Sequence, residues 1–197
     1  MNALAQDTPL HGVADAYEPG KLVPGVHARL VEELERVAHE AGITIQDITG
    51  KQYNLTETER AYLQKFRTAG ETGSLGLIYV GSHDPEVVLR GRSICGALLR
   101  NFIPAKFIPR EELIEALFSS KRVPDANCVV VPDFHYGDAP VATKRALSSW
   151  LIGRTSRGKQ TVLGVPHKKV LKEVFGAEAN MYLNHFTVSQ GVNHNPA

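Results

Sequence analysis

No stretch of this sequence is apolar for the roughly 20 residues that a helix needs to cross a membrane. Neither sign of charge dominates, because 22 lysines and arginines face 21 aspartates and glutamates and leave a net charge of +1. The first residues also lack the basic and apolar regions of a secretory signal. We therefore expect a cytoplasmic protein without a membrane contact, in which only a local basic patch could bind nucleic acid.

Cysteine is scarce, with two in 197 residues. Cys95 and Cys128 both lie in apolar runs and have no metal-ligand spacing nearby. Such cysteines are typical of buried free thiols in a reducing compartment. The sequence predicts neither a disulfide nor a metal site.

Composition and periodicity divide the chain into four predicted regions. Residues 1–25, with scattered Gly, Pro and Asp, predict a mobile arm, and residues 191–197 predict a disordered tail. Residues 26–70 predict a helical segment, because "HARLVEELERVAHEA" repeats apolar residues at helical spacing and Gly42 ends it. Thr56 and Glu59 form a capping-box pattern at the start of a further helix. Residues 71–190 predict an α/β domain.

Strands and helices alternate through that α/β region. Short apolar runs at 77–80, "AKFIP", "NCVVVPDF", "QTVLGV" and "HFTVSQ" are separated by helical patterns at 90–102, 110–119, 141–154 and 167–175. Consecutive apolar residues indicate buried parallel strands, so we expect a parallel sheet covered on both faces, with strands 77–80 and 128–131 central. The side chains that this arrangement should bury include Cys128, Val130, Leu99, Leu147 and Trp150.

The loop after the first strand lies where a phosphate-binding loop would lie. Such a loop reads G-x-x-x-x-G-K-[ST] and uses backbone N–H groups and a lysine to hold phosphate. This chain reads "GSHDPE" from Gly81 and has no lysine there. By itself, the stretch also fits a solvated loop that caps a helix beginning at Asp84 or Pro85.

The order of elements resembles the AAA+ module of the DnaC/IstB-like helicase loaders and transposition ATPases. The matching stretches are "KFIPREELIEALFSS", "NCVVVPDF", "LSSWLIGRTSRGKQTVLGV" and "HKKVLKEVFG". The resemblance implies a three-layer α/β/α, P-loop NTPase-like parallel sheet with a helical N-terminal extension. It also implies a nucleotide site that begins at Gly81, an acidic pair after the third strand, a polar sensor strand and an arginine at a helix end.

Several family positions have lost their chemistry. The lysine of the loop is absent, and Arg90 and Arg92 are the nearby sources of positive charge. Pro132 stands at the first acidic position, which leaves Asp133 at the second. The sensor strand ends in "GVP" from Gly164, without a polar side chain. The sequence therefore predicts a pseudo-ATPase that needs no cofactor.

Arg154 coincides with the family's arginine at the helix end, although a cation there also complements the helix dipole. We interpret five residues as a degenerate nucleotide site: Gly81, Arg90, Arg92, Asp133 and Arg154.

Three functional hypotheses remain. The first is a non-catalytic accessory protein in DNA replication or transposition that binds a helicase, a transposase or another replication protein, with single-stranded DNA as a further ligand and oligomers allowed. Its candidate nucleic-acid contacts, which fit a solvated helix face equally well, are Arg154, Arg157, Lys159, Lys168, Lys169 and Lys172. The second is a phage- or plasmid-type adaptor or inhibitor that keeps the fold as a scaffold. The third is an unrelated enzyme that uses His83 with Asp84, or Asp133 with His135, for acid–base chemistry.

Overall fold

A computed structural model describes residues 22, 26–49, 55–68, 74–81, 85–119, 123–134, 138–176 and 184–190. The predicted arm at 1–25, apart from residue 22, and the predicted tail at 191–197 lie outside this part of the chain. His83, Asp84 and His135 lie outside it as well, so both proposed acid–base pairs remain predictions.

Five strands of the described chain form one sheet in which every neighbouring pair is parallel. Across the sheet their order is β2-β3-β4-β1-β5. The first strand and the Cys128–Val131 strand each have two neighbours, which confirms their predicted central position. Their bounds are β1 Gly76–Val80, β2 Ala105–Phe107, β3 Cys128–Val131, β4 Gln160–Val165 and β5 Phe186–Gln190.

Helices cover both faces of the sheet. Neighbouring residues of a strand point to opposite faces, so each strand packs against both helix layers. Leu77 and Tyr79 of β1 join a hydrophobic cluster with the helices that precede β2, whereas Ile78 joins a second cluster with the later helices. The first layer contains α1 Ala28–Glu32, α2 Leu34–Ala41, α3 Ile45–Thr49, α4 Glu57–Gln64 and α5 Pro85–Arg100. The second contains α6 Arg110–Phe118, α7 Val141–Ser156 and α8 Lys169–Phe175. The three-layer α/β/α, P-loop NTPase-like fold is thus confirmed.

Two helices differ from their predictions. The predicted single helix from 27 to 41 is interrupted at Glu33, whose φ of −111° and ψ of 13° separate α1 from α2. Gly42 ends α2 in the left-handed conformation, as predicted. The helix after β1 begins at Pro85, one of the two starts expected for a helix that this loop caps, and not at residue 90, where the apolar pattern begins. A proline is favourable at a first helical position, because no N–H is needed there.

The N-terminal helices share the core of the sheet. α3 crosses α5 so closely that a Cβ on Gly96 would lie 1.9 Å from the carbonyl oxygen of Asp47. The predicted capping box is present at the start of α4, where Thr56 and Glu59 bond each other's backbone N–H groups. Described residues on both sides of residues 70 and 71 belong to one hydrophobic cluster. The division of the chain at this point remains a prediction.

Four of the five side chains predicted to be buried are buried: Cys128, Val130, Leu147 and Trp150. Leu99 is instead half-buried and packs against the margin of the first cluster. Both cysteines are buried free thiols, and burial raises the pKa of the Cys128 thiol from 9.0 to about 12. Among the described residues, no helix is long and apolar enough to span a bilayer.

Candidate functional site

The topology places a switch point where β1 and β4 end. The helix that leaves β1 packs on one face of the sheet and the helix that leaves β4 packs on the other, so the two connections diverge. Ligands of open parallel sheets bind at such a switch point, beyond the carboxyl ends of the strands. Here the two strand ends are tied together, because the Gly81 N–H donates to the carbonyl oxygen of Val165 at 2.7 Å. We call this place the switch-point crevice.

Arg90 does not supply a free positive charge to that crevice. Its side chain is 1% exposed and pairs with two carboxylates, Glu59 at 3.3 Å and Glu86 at 2.9 Å. Burial acts to lower the pKa of Arg90, but hydrogen bonds with Glu86 and Glu59 outweigh it and the pKa is raised. The guanidinium therefore stays charged and is neutralised within the protein. Arg90 was expected as a nearby source of positive charge, and this charge is instead paired with Glu59 and Glu86.

Glu59 is the centre of the network that holds Arg90. This carboxylate is fully buried, and it accepts from the Thr56 N–H at 2.8 Å and from the Ser189 hydroxyl at 3.1 Å. The network therefore joins α4, α5 and the carboxyl end of β5 with one buried charge pair. Sequence reasoning missed this role, because Glu59 was explained by the capping box that it also forms.

Arg92 points in another direction. It is half-buried, and its guanidinium carbon lies 5.4 Å from the centroid of the Phe107 ring. This is a cation–π distance, and Phe107 belongs to β2 at the margin of the sheet. Arg92 therefore contacts the interface between α5 and the sheet.

The two positions to which the resemblance assigns an acidic residue and a sensor residue touch each other. A Cβ on Gly164 would lie 1.8 Å from the carbonyl oxygen of Pro132, so β4 accepts no side chain at this point. The Phe134 N–H also donates to the carbonyl oxygen of Gly164 at 2.6 Å. The proline in one motif and the glycine in the other are thus parts of one close backbone contact.

Asp133 lies in this segment and pairs with Arg110 at 3.6 Å. One of its carboxylate oxygens is buried without a hydrogen-bond partner among the described residues. Mg²⁺ needs six ligands in octahedral geometry and is usually held by one or two carboxylates together with phosphate and water. No group of three metal-ligating side chains exists in the part of the chain that the structure describes. Asp133 remains a predicted site residue.

Arg154 is fully buried at the opposite end of the sheet, where the strands begin. Its guanidinium donates to the Thr161 hydroxyl at 3.1 Å and to the carbonyl oxygens of Gln160 at 2.6 Å and Ala126 at 3.0 Å. Burial lowers its pKa. Because it clamps the starts of β3 and β4, Arg154 belongs neither to the switch-point crevice nor to a nucleic-acid surface. Both predicted roles were wrong.

The other candidate nucleic-acid contacts fall into two separate groups. Arg157 and Lys159 lie where β4 begins and pair with Asp125 at 3.1 and 2.7 Å. Lys168, Lys169 and Lys172 are exposed and lie beyond the end of β4. Six strand residues at about 3.3 Å each place roughly 20 Å between the groups. These five residues therefore form two groups at opposite ends of β4, and their contact with nucleic acid remains a prediction.

No protein-family model and no curated protein matches this chain. Among solved structures, the AMPPCP-bound DnaA from Aquifex aeolicus is similar, with 12% sequence identity and a TM-score of 0.49. The match covers 70% of this chain and 48% of that chain, so it spans about half of that protein's length. A likeness at this level transfers no residue role, and the fold assignment rests on the layers and strand order described above.

The switch-point crevice thus lies where the resemblance implies a nucleotide site. The positive charge of Arg90 is neutralised by Glu59, and Gly164 contacts Pro132 through the backbone. Gly81 does remain at the end of β1, with a φ of 102° that favours glycine. Gly81 therefore allows the chain to turn sharply out of β1.

Proposed function

We propose that this chain is a non-catalytic, AAA+-like accessory protein of DNA replication or transposition, similar in role to the DnaC/IstB-like helicase loaders. It would act by binding a helicase, a transposase or another replication protein, without a nucleotide cycle. The observation that supports this proposal is the buried pair of Glu59 and Arg90. This pair neutralises the positive charge of Arg90 next to the switch-point crevice, and it joins α4 to α5 and to β5.

The energetics of nucleotide binding favour this proposal. A P-loop protein holds ATP through backbone N–H groups, a lysine, and Mg²⁺ held by a hydroxyl and a carboxylate. Each charge-assisted hydrogen bond contributes about 1.5–3 kcal/mol, so the loss of three lowers affinity by several orders of magnitude. The Pro132–Gly164 contact replaces two further family positions with backbone.

Calorimetry with Mg–ATP tests this part of the proposal. We expect no binding at millimolar nucleotide and no hydrolysis. Micromolar binding, or a turnover that Asp133→Ala abolishes, would show that the crevice is a working nucleotide site. Arg157→Ala, at the other end of the sheet, serves as the matched control for nonspecific loss of activity.

For single-stranded DNA, the proposed contacts are the three exposed lysines beyond β4, which are Lys168, Lys169 and Lys172. Each lysine that contacts phosphate contributes to the salt dependence of binding. We expect the triple alanine variant of Lys168, Lys169 and Lys172 to bind a labelled oligothymidine at least tenfold more weakly in a low-salt anisotropy titration. Arg157→Ala/Lys159→Ala is the control, because these residues lie at the opposite end and pair with Asp125. Equal affinity of the triple variant and the wild type would remove DNA from the proposal.

The second candidate is the adaptor or inhibitor that uses the fold as a scaffold. The observation that favours it is the pairing of Arg157 and Lys159 with Asp125, at the opposite end of β4 from the three exposed lysines. Affinity capture from the native cell distinguishes the two candidates. Recovery of a helicase or transposase supports the accessory role, and recovery of a protein outside replication and transposition supports the adaptor.

A further inference from the structure

The two edge strands of the sheet differ in how far their sequences discourage pairing with another strand. β2 is three residues long, carries Lys106 at its centre and follows Pro104. Short strands, lysine and proline are the devices by which natural sheets prevent edge-to-edge pairing. β5 is five residues long, reads "FTVSQ" and contains neither proline nor a charged residue. Within the described chain its one neighbouring strand is β1, so β5 is an edge strand that lacks these protective features.

A groove of about 480 Å³ lies between this edge strand and α4. We call it the α4–β5 groove. Thr187 of β5 lines it from the sheet, and five residues from one flank of α4 form its wall: Glu57, Thr58, Ala61, Tyr62 and Lys65. Another side of α4 faces α5, because Glu59 pairs with Arg90 there. The groove flank of α4 therefore faces away from α5, along the edge of the sheet.

The charges on this flank of α4 are placed symmetrically. Glu57 and Lys65 are both exposed, and each lies four residues from Ala61. Arg60, the other exposed charged residue of α4, does not line the groove. A second α4 that runs antiparallel and is centred on Ala61 would place each Glu57 opposite Lys65 of the other copy, and the small side chain of Ala61 allows a close helix contact. Because each such pair is neutral, the match does not depend on the net charge of the surface.

β5 is complementary to itself in the same way. Antiparallel pairing of two copies about Val188 places Thr187 of one copy opposite Ser189 of the other, and Val188 opposite Val188. Thr187 and Ser189 lie on the face of the sheet that α4 covers, since Ser189 donates to Glu59 there. Hydroxyl pairs and β-branched pairs stabilise antiparallel strands, and no like charges meet. The same pairing of β2 would place Lys106 opposite Lys106, which is unfavourable.

We propose that the α4–β5 groove and the β5 edge bind a second copy of this chain, with β5 antiparallel to β5 and α4 antiparallel to α4. One twofold axis serves both contacts, because α4 begins beside the end of β5, where Thr56 Oγ1 lies 3.4 Å from Ser189 Oγ, and its later turns lie beside Thr187. A contact of this kind uses the same surface on both copies and closes at the dimer. The proposal goes beyond the proposed function and involves neither nucleotide nor the switch-point crevice.

Charge exchange between Glu57 and Lys65 tests the helix contact. Glu57→Lys alone, or Lys65→Glu alone, brings like charges together in the dimer, whereas the double variant restores opposite charges. Both side chains are exposed, so the fold should tolerate all three variants. Gln64→Lys, at an exposed position of α4 outside the groove, is the matched control. Sedimentation equilibrium of the full chain measures the dissociation constants at low salt, because salt screens exposed ion pairs.

We expect the wild type to be dimeric at about 100 μM and to dissociate on dilution, because one strand pair and one helix pair form a small interface. Each single reversal should weaken the dimer about tenfold, since two ion pairs become two repulsive pairs. The double exchange and Gln64→Lys should both remain within about twofold of the wild type. Val188→Lys, which places two lysines opposite each other at the axis, should weaken the dimer at least tenfold.

A monomer at about 100 μM would overturn the proposal. So would a dimer that the single reversals leave unchanged, or one that they weaken and the double exchange does not restore. Hydrogen exchange locates the contact, because the amides of β5 should exchange more slowly in the dimer than in the dilute monomer. A dimer without this protection would assign the association to another surface and refute the inference. None of these measurements depends on ATP or on a replication partner, so the proposed function and this inference can fail separately.

Discussion

Replacement of Arg90 by methionine should destabilise the protein much more than replacement of Glu59 by glutamine. The two side chains form a buried pair and are 1% and 0% exposed. In Arg90→Met, the Glu59 carboxylate stays buried without its cation and keeps the Thr56 N–H and the Ser189 hydroxyl as neutral donors. In Glu59→Gln, Arg90 keeps Glu86, whose side chain is 38% exposed, as a charged partner. Arg90→Met should therefore lower the free energy of unfolding more than Glu59→Gln.

The expected magnitudes follow from this asymmetry. A buried charge that loses its partner costs about 3–5 kcal/mol, which we expect for Arg90→Met. Glu59→Gln keeps an acceptor for the Thr56 N–H and leaves Arg90 compensated by Glu86, so we expect about 1–3 kcal/mol. The double variant contains no buried charge from this pair. Its loss should be smaller than the sum of the single losses by about 1–3 kcal/mol.

Urea unfolding of the wild type, both single variants and the double variant measures these free energies. The denaturant slopes should stay equal, so that the differences report stability alone. Additive losses would show that the two side chains do not interact. A loss below about 1 kcal/mol in Arg90→Met would show that Glu59 needs no cation. Either result would refute the view that this pair fastens α4 to α5 and β5.

Two further predictions test other contacts. Gly164→Ala should cost about 3 kcal/mol or more, because its Cβ would lie 1.8 Å from the Pro132 carbonyl oxygen, while Gly153→Ala, with open space around it, should gain up to about 1 kcal/mol. Thermal unfolding measures both, and equal melting temperatures would contradict the prediction. Burial raises the pKa of Cys128 from 9.0 to about 12, so the folded protein keeps a proton that the unfolded chain loses. The free energy of unfolding should therefore fall as pH rises above 9.0, by at most about 1.4 kcal/mol per pH unit for this thiol. Cys128→Ala should make this fall less steep, and native thiols that titrate near their ordinary pKa would contradict the prediction.

Strand and helix positions could be predicted from the sequence because they depend on neighbouring residues. The run "QTVLGV" becomes β4 at the residues expected, since six consecutive residues that can be buried fit a strand covered on both faces. The capping box at Thr56 and the left-handed Gly42 were also predicted, because each motif is complete within a few residues. The parallel, layered fold followed from the alternation of these elements.

The fate of the charged residues was decided only by the tertiary structure. The sequence pattern of an arginine at a helix end is the same in two different environments. The guanidinium of Arg157 reaches solvent, whereas that of Arg154 clamps two strands. Arg90 meets Glu59 across 31 residues of sequence, and β4 separates Lys159 from Lys168 although they are close in the chain. Local patterns determine which elements form. Which charges meet depends on the packing of the elements, because packing decides where the long side chains converge. Here it brings Glu59 and Arg90 together in a buried ion pair.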